Sequence, residues 1–357
     1  MQTKPSPWSH VAALAALLTV VISVLLTAFA WPAVRSSVHG VPIAVAGPAA
    51  ATSQVAAALE QRQPGAFDVT PVAGTAEAEA AIRDREVYGA VDLSTGTPRV
   101  LTASAASPVI AQTLQGIATA LANSPAAVAP GAAAQPPAAP ATGAGGPAGT
   151  VPVIDVVAAP ADDPRGAGLA AAALPIVLGG IAAAGLLTLR ITGTGRRVTG
   201  ALTFAVTGAL SMAAILQFWL GTLSGDYLAN AGVLALGTAA ISLTLLGLES
   251  LLGPAGLGLG AATMMLLGNP LAGVATAPEM LPGWSGTFGQ FLPPGAAGSL
   301  LRSVSFFDGA GAWPHAAVLL GWLAAGIALC LAGAVHADRK AGATAGDSEQ
   351  PPVAVPA

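Results

Sequence analysis

"LLGNPLAGVATAPEMLPGWSGTFGQFLPPGAAGSLLRS", residues 266–303, decides how this chain is read. An apolar run reaches Gly268, Asn269 and Pro270. The residues beyond stay apolar, yet prolines and glycines interrupt them too often for one continuous helix. Proline lacks a backbone donor and its ring clashes with the preceding turn, so a helix ends or kinks at Asn269–Pro270. Irregular backbone at membrane depth is tolerated only where protein buries it or where it lines a cavity. Beside a membrane span, the simplest solution is a re-entrant or interfacial hairpin. Two short helices then dip into the outer leaflet and return, with Trp284 and Phe288 at the interfacial level. An ordinary surface loop rich in small residues is the plainer alternative.

Composition makes the flanking run a span. Of 357 residues, 54% are hydrophobic and 8% charged, with a mean hydropathy of +0.71. A soluble domain carries about 25% charged residues, so lipid has to solvate much of this surface. The net charge of −4 speaks against nucleic acid as a partner. One cysteine, Cys330, forms neither an internal disulfide nor a metal cluster and reads as a small apolar core residue.

A bilayer core of about 30 Å needs about 20 apolar residues as a helix. Six stretches meet this: 8–31, the run between Arg165 and Arg190, 198–221, 227–248, 253–273 and 314–337. Lys4, the Arg190–Arg196–Arg197 loop and Lys340 share one side of a six-span topology. The positive-inside rule puts that side, with both termini, in the cytoplasm. Arg302 is the one short-loop cation on the wrong side. The first span reads as an uncleaved anchor, although "AFA" at 28–30 resembles a signal-peptide cleavage site. The expected organisation is a cytoplasmic N-terminus (1–7), transmembrane helix 1 (8–31) and an extracytoplasmic region (32–165). A five-helix membrane domain (166–337) carries the interrupted segment 268–303, and a disordered cytoplasmic tail (338–357) ends the chain.

Within 32–165, strand and helix patterns alternate, which predicts a small α/β domain. Strands are expected at 41–47, 67–73, "VYGAVDL", "RVLTAS" and 151–160, and helices at 49–63, 75–86 and 107–123. Thr75 is the expected N-cap of the 75–86 helix. Residues 124–150, rich in proline and alanine, read as a flexible or extended linker. The acids of this domain read as solvated helix faces, and no catalytic triad or metal-ligand spacing stands out. The chain is not read as an enzyme and no cofactor is expected.

No phosphate-cradling GxxxxGK[ST] occurs, so the energy for any transport comes from elsewhere. Gln217 is an intramembrane polar group placed to bond across helices. The GxxxG pair Gly256 and Gly260 allows close helix contact, within the chain or in a dimer. Candidates for a translocation path or gate are Gly268, Asn269, Pro270, Glu279, Pro282, Pro293, Pro294, Arg302 and Gln217. A plug at the outer mouth fits a gate for exported amphiphiles.

A first span, a large outside domain and five clustered spans resemble the permeases of type-2 ABC exporters. The likeness is to the branch of phage-infection proteins (Pip) and related actinobacterial permeases. It rests on "GNPLAG" (268–273), "APEMLPGW" (277–284), "GQFLPPGA" (289–296), "LLRSVSFFDG" (300–309), "PADDPRGAG" (160–168) and "LTASAASP" (101–108). The resemblance implies a dimeric export permease in the lipid bilayer, paired with a separate cytoplasmic ATPase subunit. It also implies re-entrant helices between spans five and six. Such permeases usually carry an amphipathic helix before span one; here only "MQTKPSP" precedes Trp8. Coupling to an ATPase then falls on the short inner loops, chiefly Arg190, Arg196 and Arg197. The expected function is export of a lipid, cell-envelope component or hydrophobic compound. The alternative is a non-transporting membrane scaffold, secretion accessory or surface receptor.

Overall fold

The structure, a computed structural model, describes residues 7–122 and 151–347. The linker 124–150 expected from composition lies outside these residues. Helix α1 spans Trp8–Arg35 and is apolar along its length, with Pro32 its one buried residue. It touches the helical half near residues 263–268, yet most of its apolar side chains meet no protein.

The α/β region follows. Strand β1 (Val41–Ala46), α2 (Ala49–Arg62) and β2 (Phe67–Val72) make a parallel crossover unit with Val41 opposite Phe67. Helix α3 (Thr75–Arg83) leads to β3 (Gly89–Asp92), which pairs parallel to β1 and antiparallel to β4 (Arg99–Thr102). Helix α4 (Pro108–Ala122) and strand β5 (Val153–Asp155) complete a mixed five-stranded sheet of order β2-β1-β3-β4-β5. Side chains alternate across a strand, and β1 shows it. Val41 and Ile43 pack toward α4 and its Ile110 and Leu114. Ala44 and Ala46 pack toward Ile82 of α3. The expected Thr75 cap is corrected: Gly74 holds the N-cap position of α3, and the Thr75 hydroxyl donates to Asp92.

The second half is helical: α5 (Ala167–Arg190), α6 (Thr194–Trp219), α7 (Tyr227–Leu252), α8 (Pro254–Gly268), α9 (Ser285–Gln290), α10 (Pro293–Phe306) and α11 (Ala312–Asp347). Five helices among the described residues, α1, α5, α6, α7 and the first 26 residues of α11, are long and apolar enough to cross a membrane. The expected fifth span at 253–273 is instead the 15-residue helix α8. The expected disordered tail is corrected at its start, because α11 continues to Asp347.

Helix α7 is the axis of this half. It is buried from Asn230 to Gly247 with few exceptions, and α11, α6, α5 and α10 pack on it. Small residues allow that density. A methyl group on Gly326 of α11 would lie 2.6 Å from the Thr244 nitrogen, so the two backbones touch. The Gly256 and Gly260 pair packs the same way within the chain, against Leu248 of α7.

The interrupted segment is folded into this bundle. Helix α8 ends in a π turn, Thr263–Gly268, whose bonds reach five residues back, as from the Asn269 nitrogen to the Met264 carbonyl at 3.0 Å. The chain then rises to a 3₁₀ turn at Pro278–Met280, under the α/β region, and descends through α9. It rises again as α10, of which 12 residues, including Pro293, Pro294 and Arg302, are buried. The foot of α10 lies mid-bundle, where Trp322 Nε1 donates to the Phe291 carbonyl at 2.8 Å. Its top lies at the start of α7, where the Ser305 hydroxyl donates to Asn230 at 2.7 Å.

Candidate functional site

Segment 269–307 grips the α/β sheet from both faces. Ala277 and Met280 enter the core beneath Ile43 and Leu114, while Phe307 enters the opposite core beside Ile82. Polar groups gather between these two wedges. Helix α3 stops because Arg85 takes a left-handed conformation, φ +62°. Its nitrogen bonds back to the Ile82 carbonyl at 3.1 Å, and Glu86 to Ala81 at 2.9 Å. Glycine usually fills such a helix-ending position, and a residue with a Cβ pays about 1–2 kcal/mol there. Arginine is held because its guanidinium crosses to α10. Nη1 donates to the Ser299 carbonyl at 3.0 Å and to the Ser303 hydroxyl, and the group lies 5.3 Å from the Phe307 ring centre. Bonds made by a charged donor contribute about 1.5–3 kcal/mol each, which outweighs the backbone strain.

Three residues on, Tyr88 anchors its nitrogen to the Pro42 carbonyl at 3.0 Å. Its hydroxyl donates to Glu279 Oε2 at 2.7 Å. Glu279 rides on the Pro278–Met280 turn, and the Met280 carbonyl accepts from the Ser37 nitrogen at 3.0 Å. So the end of α1, the sheet and the interrupted segment are bonded at one place. Burial pushes the Arg85 guanidinium below its ordinary pKa, with Tyr88 and Glu279 opposing. Burial also pushes the Tyr88 phenol up, and the Glu279 carboxylate adds to that by repulsion and by accepting its proton. A cavity of about 480 Å³ opens beside these groups.

The gate candidates fall into separate roles. Glu279 and Arg302 flank the junction. Arg302 is not a loop cation, as the sequence count took it to be: it is 3% exposed within α10 and donates from Nη2 to the Val274 carbonyl at 2.7 Å. Its Nε has no partner. Gly268 lies against Pro294, since a methyl group there would come within 2.7 Å of the proline ring, and Pro293 opens α10 beside it. Asn269 and Pro270 are half-buried in the turn that leaves α8. Pro282 faces a second cavity, of about 520 Å³, beside Arg35 and His39.

Gln217 does bond across helices. Its Oε1 accepts from Asn230 at 3.1 Å, and Asn230 in turn accepts from Ser305 of α10. It sits in the π turn Ile215–Trp219 that closes α6. At the opposite end of the bundle, Arg197 pairs with Glu249 at 2.9 Å and donates to the Ile191 and Thr188 carbonyls. It clamps the α5–α6 turn to α7, whereas Arg190 and Arg196 are exposed.

Sequence reading missed Arg85, Tyr88, Asn230 and the serines of α10. Arg85 and Glu86 lie in "RDREVYG", which reads as a solvated helix face. The signal that a helix ends at Arg85 is normally a glycine, and none stands there. The junction bonds two parts of the molecule to each other; among the described residues no three metal-ligating groups meet. No protein family, no curated protein and no solved structure matches this chain.

Proposed function

We propose that the chain is the permease subunit of an exporter in which a separate cytoplasmic ATPase drives movement of a lipid, cell-envelope component or hydrophobic compound. The observation that carries the reading is the buried segment 269–306. It runs through the helical bundle and is bonded at its top to the α/β region by Arg85 and Tyr88. A segment so placed links what happens at the outside domain to the packing of α7 and α11.

On this reading the membrane is crossed six times. Helix α8, at about 1.5 Å per residue, falls short of the roughly 30 Å hydrocarbon core. It starts beside the end of α7, and Gly268 at its top meets Pro294 at the foot of α10. The two short helices together make one discontinuous crossing, a construction that secondary transporters use at their substrate sites. The irregular stretch 269–282 between them is buried or half-buried in protein except at Ala275, as lipid requires. Trp284, Phe288 and Trp313, all exposed, suit an interfacial level.

The cytoplasmic face then carries Arg190 and Arg196 as ATPase contacts, with Arg197 committed to Glu249. Purification from native membranes in mild detergent tests this. A nucleotide-hydrolysing subunit should co-purify, and reversing both exposed charges (Arg190→Glu with Arg196→Glu) should release it while the permease remains folded. Repeated recovery of the chain alone, or with envelope proteins only, replaces the permease reading with the scaffold or accessory one.

A further inference from the structure

We propose that the cavity beneath the α/β region binds an amphiphile with a zwitterionic headgroup, the charges held inside and the apolar tail leaving past Phe291. The cavity measures about 480 Å³ and lies between the α3–β3 turn and helices α9, α10 and α11. Ligand pockets commonly span about 300–1,000 Å³. This one accommodates a headgroup and the start of a tail.

The lining carries both signs of charge. Arg85 contributes the cation, and Glu86 and Glu279 the carboxylates. The bonds of Arg85 to α10 leave Nη2 and Nε free to donate into the cavity. Glu279 is engaged through Oε2, which leaves Oε1 as an acceptor. A ligand with only a negative charge gains Arg85 but meets two carboxylates. One with only a positive charge gains the carboxylates but meets Arg85, with buried Arg302 behind it. A headgroup bearing an anion and an ammonium satisfies both sets, and charges leaving water need such pairing.

The apolar wall points to a tail. Phe291 and Val318 line the cavity, and Phe291 is 60% exposed. Trp284 and Phe288, one turn back, are exposed and meet edge-on with ring centres 5.5 Å apart. A hydrocarbon chain leaving the cavity runs along these rings. The inference goes beyond the export reading, because binding requires neither transport nor nucleotide hydrolysis.

Calorimetric titration of the full chain, purified and delipidated in detergent, tests it with three probes. These are short-chain phosphatidylethanolamine, phosphatidylglycerol with the same chains, and glycerophosphoethanolamine without chains. Phosphatidylethanolamine should bind with one saturable site, about tenfold or more tighter than either other probe, a difference of about 1.4 kcal/mol. Glu86→Gln, at an exposed position, should weaken phosphatidylethanolamine and leave phosphatidylglycerol unchanged or tighter. Phe291→Ala should weaken the lipid and not the tail-less headgroup. Equal affinity for the two lipids overturns the zwitterion. Equal affinity for the tail-less headgroup overturns the amphiphile, and absence of saturable binding overturns the site.

Discussion

Arg85 occupies a backbone conformation that a glycine would take without strain, and it does so for the sake of its side chain. Two effects therefore separate on substitution. Arg85→Ala keeps the Cβ and the strained φ but loses the bonds to Ser299 and Ser303. Arg85→Gly loses the same bonds and relieves the strain. Both should destabilise the junction, by about 2–4 kcal/mol for the lost charged bonds. Arg85→Gly should remain about 1 kcal/mol the more stable of the two. Thermal unfolding in detergent reads the order; identical midpoints would mean that the turn does not keep its left-handed form. Arg85→Lys retains charge without the planar two-point fork and should not restore wild-type stability. Arg302 poses the opposite case, a buried guanidinium with one bond to Val274 and an unpaired Nε. Burial of so poorly paired a charge does not favour folding, which makes its presence in α10 more easily understood through a charged neighbour or ligand.

At the scale of elements, the β3–β4 hairpin and α8 show how side chains replace backbone regularity. Asp92 is the last residue of β3, and its carboxylate accepts from Arg99 across the hairpin at 2.7 Å, from Thr75 at 2.7 Å and from the Ser94 nitrogen at 2.9 Å. Burial works against its ionisation, but the bonds from Ser94, Thr75 and Arg99 together hold its carboxyl below the ordinary value. A carboxylate of lowered pKa stabilises the fold in full above its unfolded value, about 3.9. That contribution is lost as pH falls through the lower, folded value. Acid unfolding of the α/β region should therefore steepen below about pH 4, and Asp92→Asn should abolish that part while lowering stability at neutral pH. Circular dichroism reports it; superimposable acid limbs for wild type and variant would remove Asp92 from the account. Helix α8 illustrates the other half of the argument. Proline at 270 supplies no donor, one further helical bond runs from the Leu271 nitrogen to the Leu267 carbonyl at 3.1 Å, and the π turn before it widens the last turn where Gly268 meets Pro294.

For the whole molecule, the ends of the long helices sort into two levels. The α/β region, the start of α7 at Asp226 and the start of α11 lie at one end. The Arg197–Glu249 clamp and the start of α8 lie at the other. The six-crossing reading makes the first end extracytoplasmic. Single cysteines decide it against low background, because the native Cys330 is buried beside the Leu243 carbonyl. Asp68→Cys and Ser224→Cys, both at exposed positions, should react with an impermeant reagent in intact cells. Arg196→Cys should react only after permeabilisation. Labelling in the reverse order would invert the topology and with it the ATPase contacts, and uniform labelling would end the membrane reading.

Hydropathy and periodicity are local properties of the chain, and they determined what is local in the fold. The long apolar helices, the alternating elements of the α/β region and the break at Asn269–Pro270 all follow from residues within a few turns of one another. Segment 268–303 was legible as apolar, interrupted and in need of burial. Its partners were not. Arg85 and Ser299 are 214 residues apart, and Tyr88 and Glu279 are 191. No periodicity carries information over such a separation, and an arginine beside acids on a short helix looks like any solvated face. Thr75 failed as a cap for the same reason, because a carboxylate 17 residues away took its hydroxyl. The burial of Arg302 was likewise decided by packing, with its guanidinium bonded to the Val274 carbonyl 28 residues away. Which polar groups are paired, and which are left facing a cavity, is a property of the assembled core; the chain in order states only which groups are present to be paired.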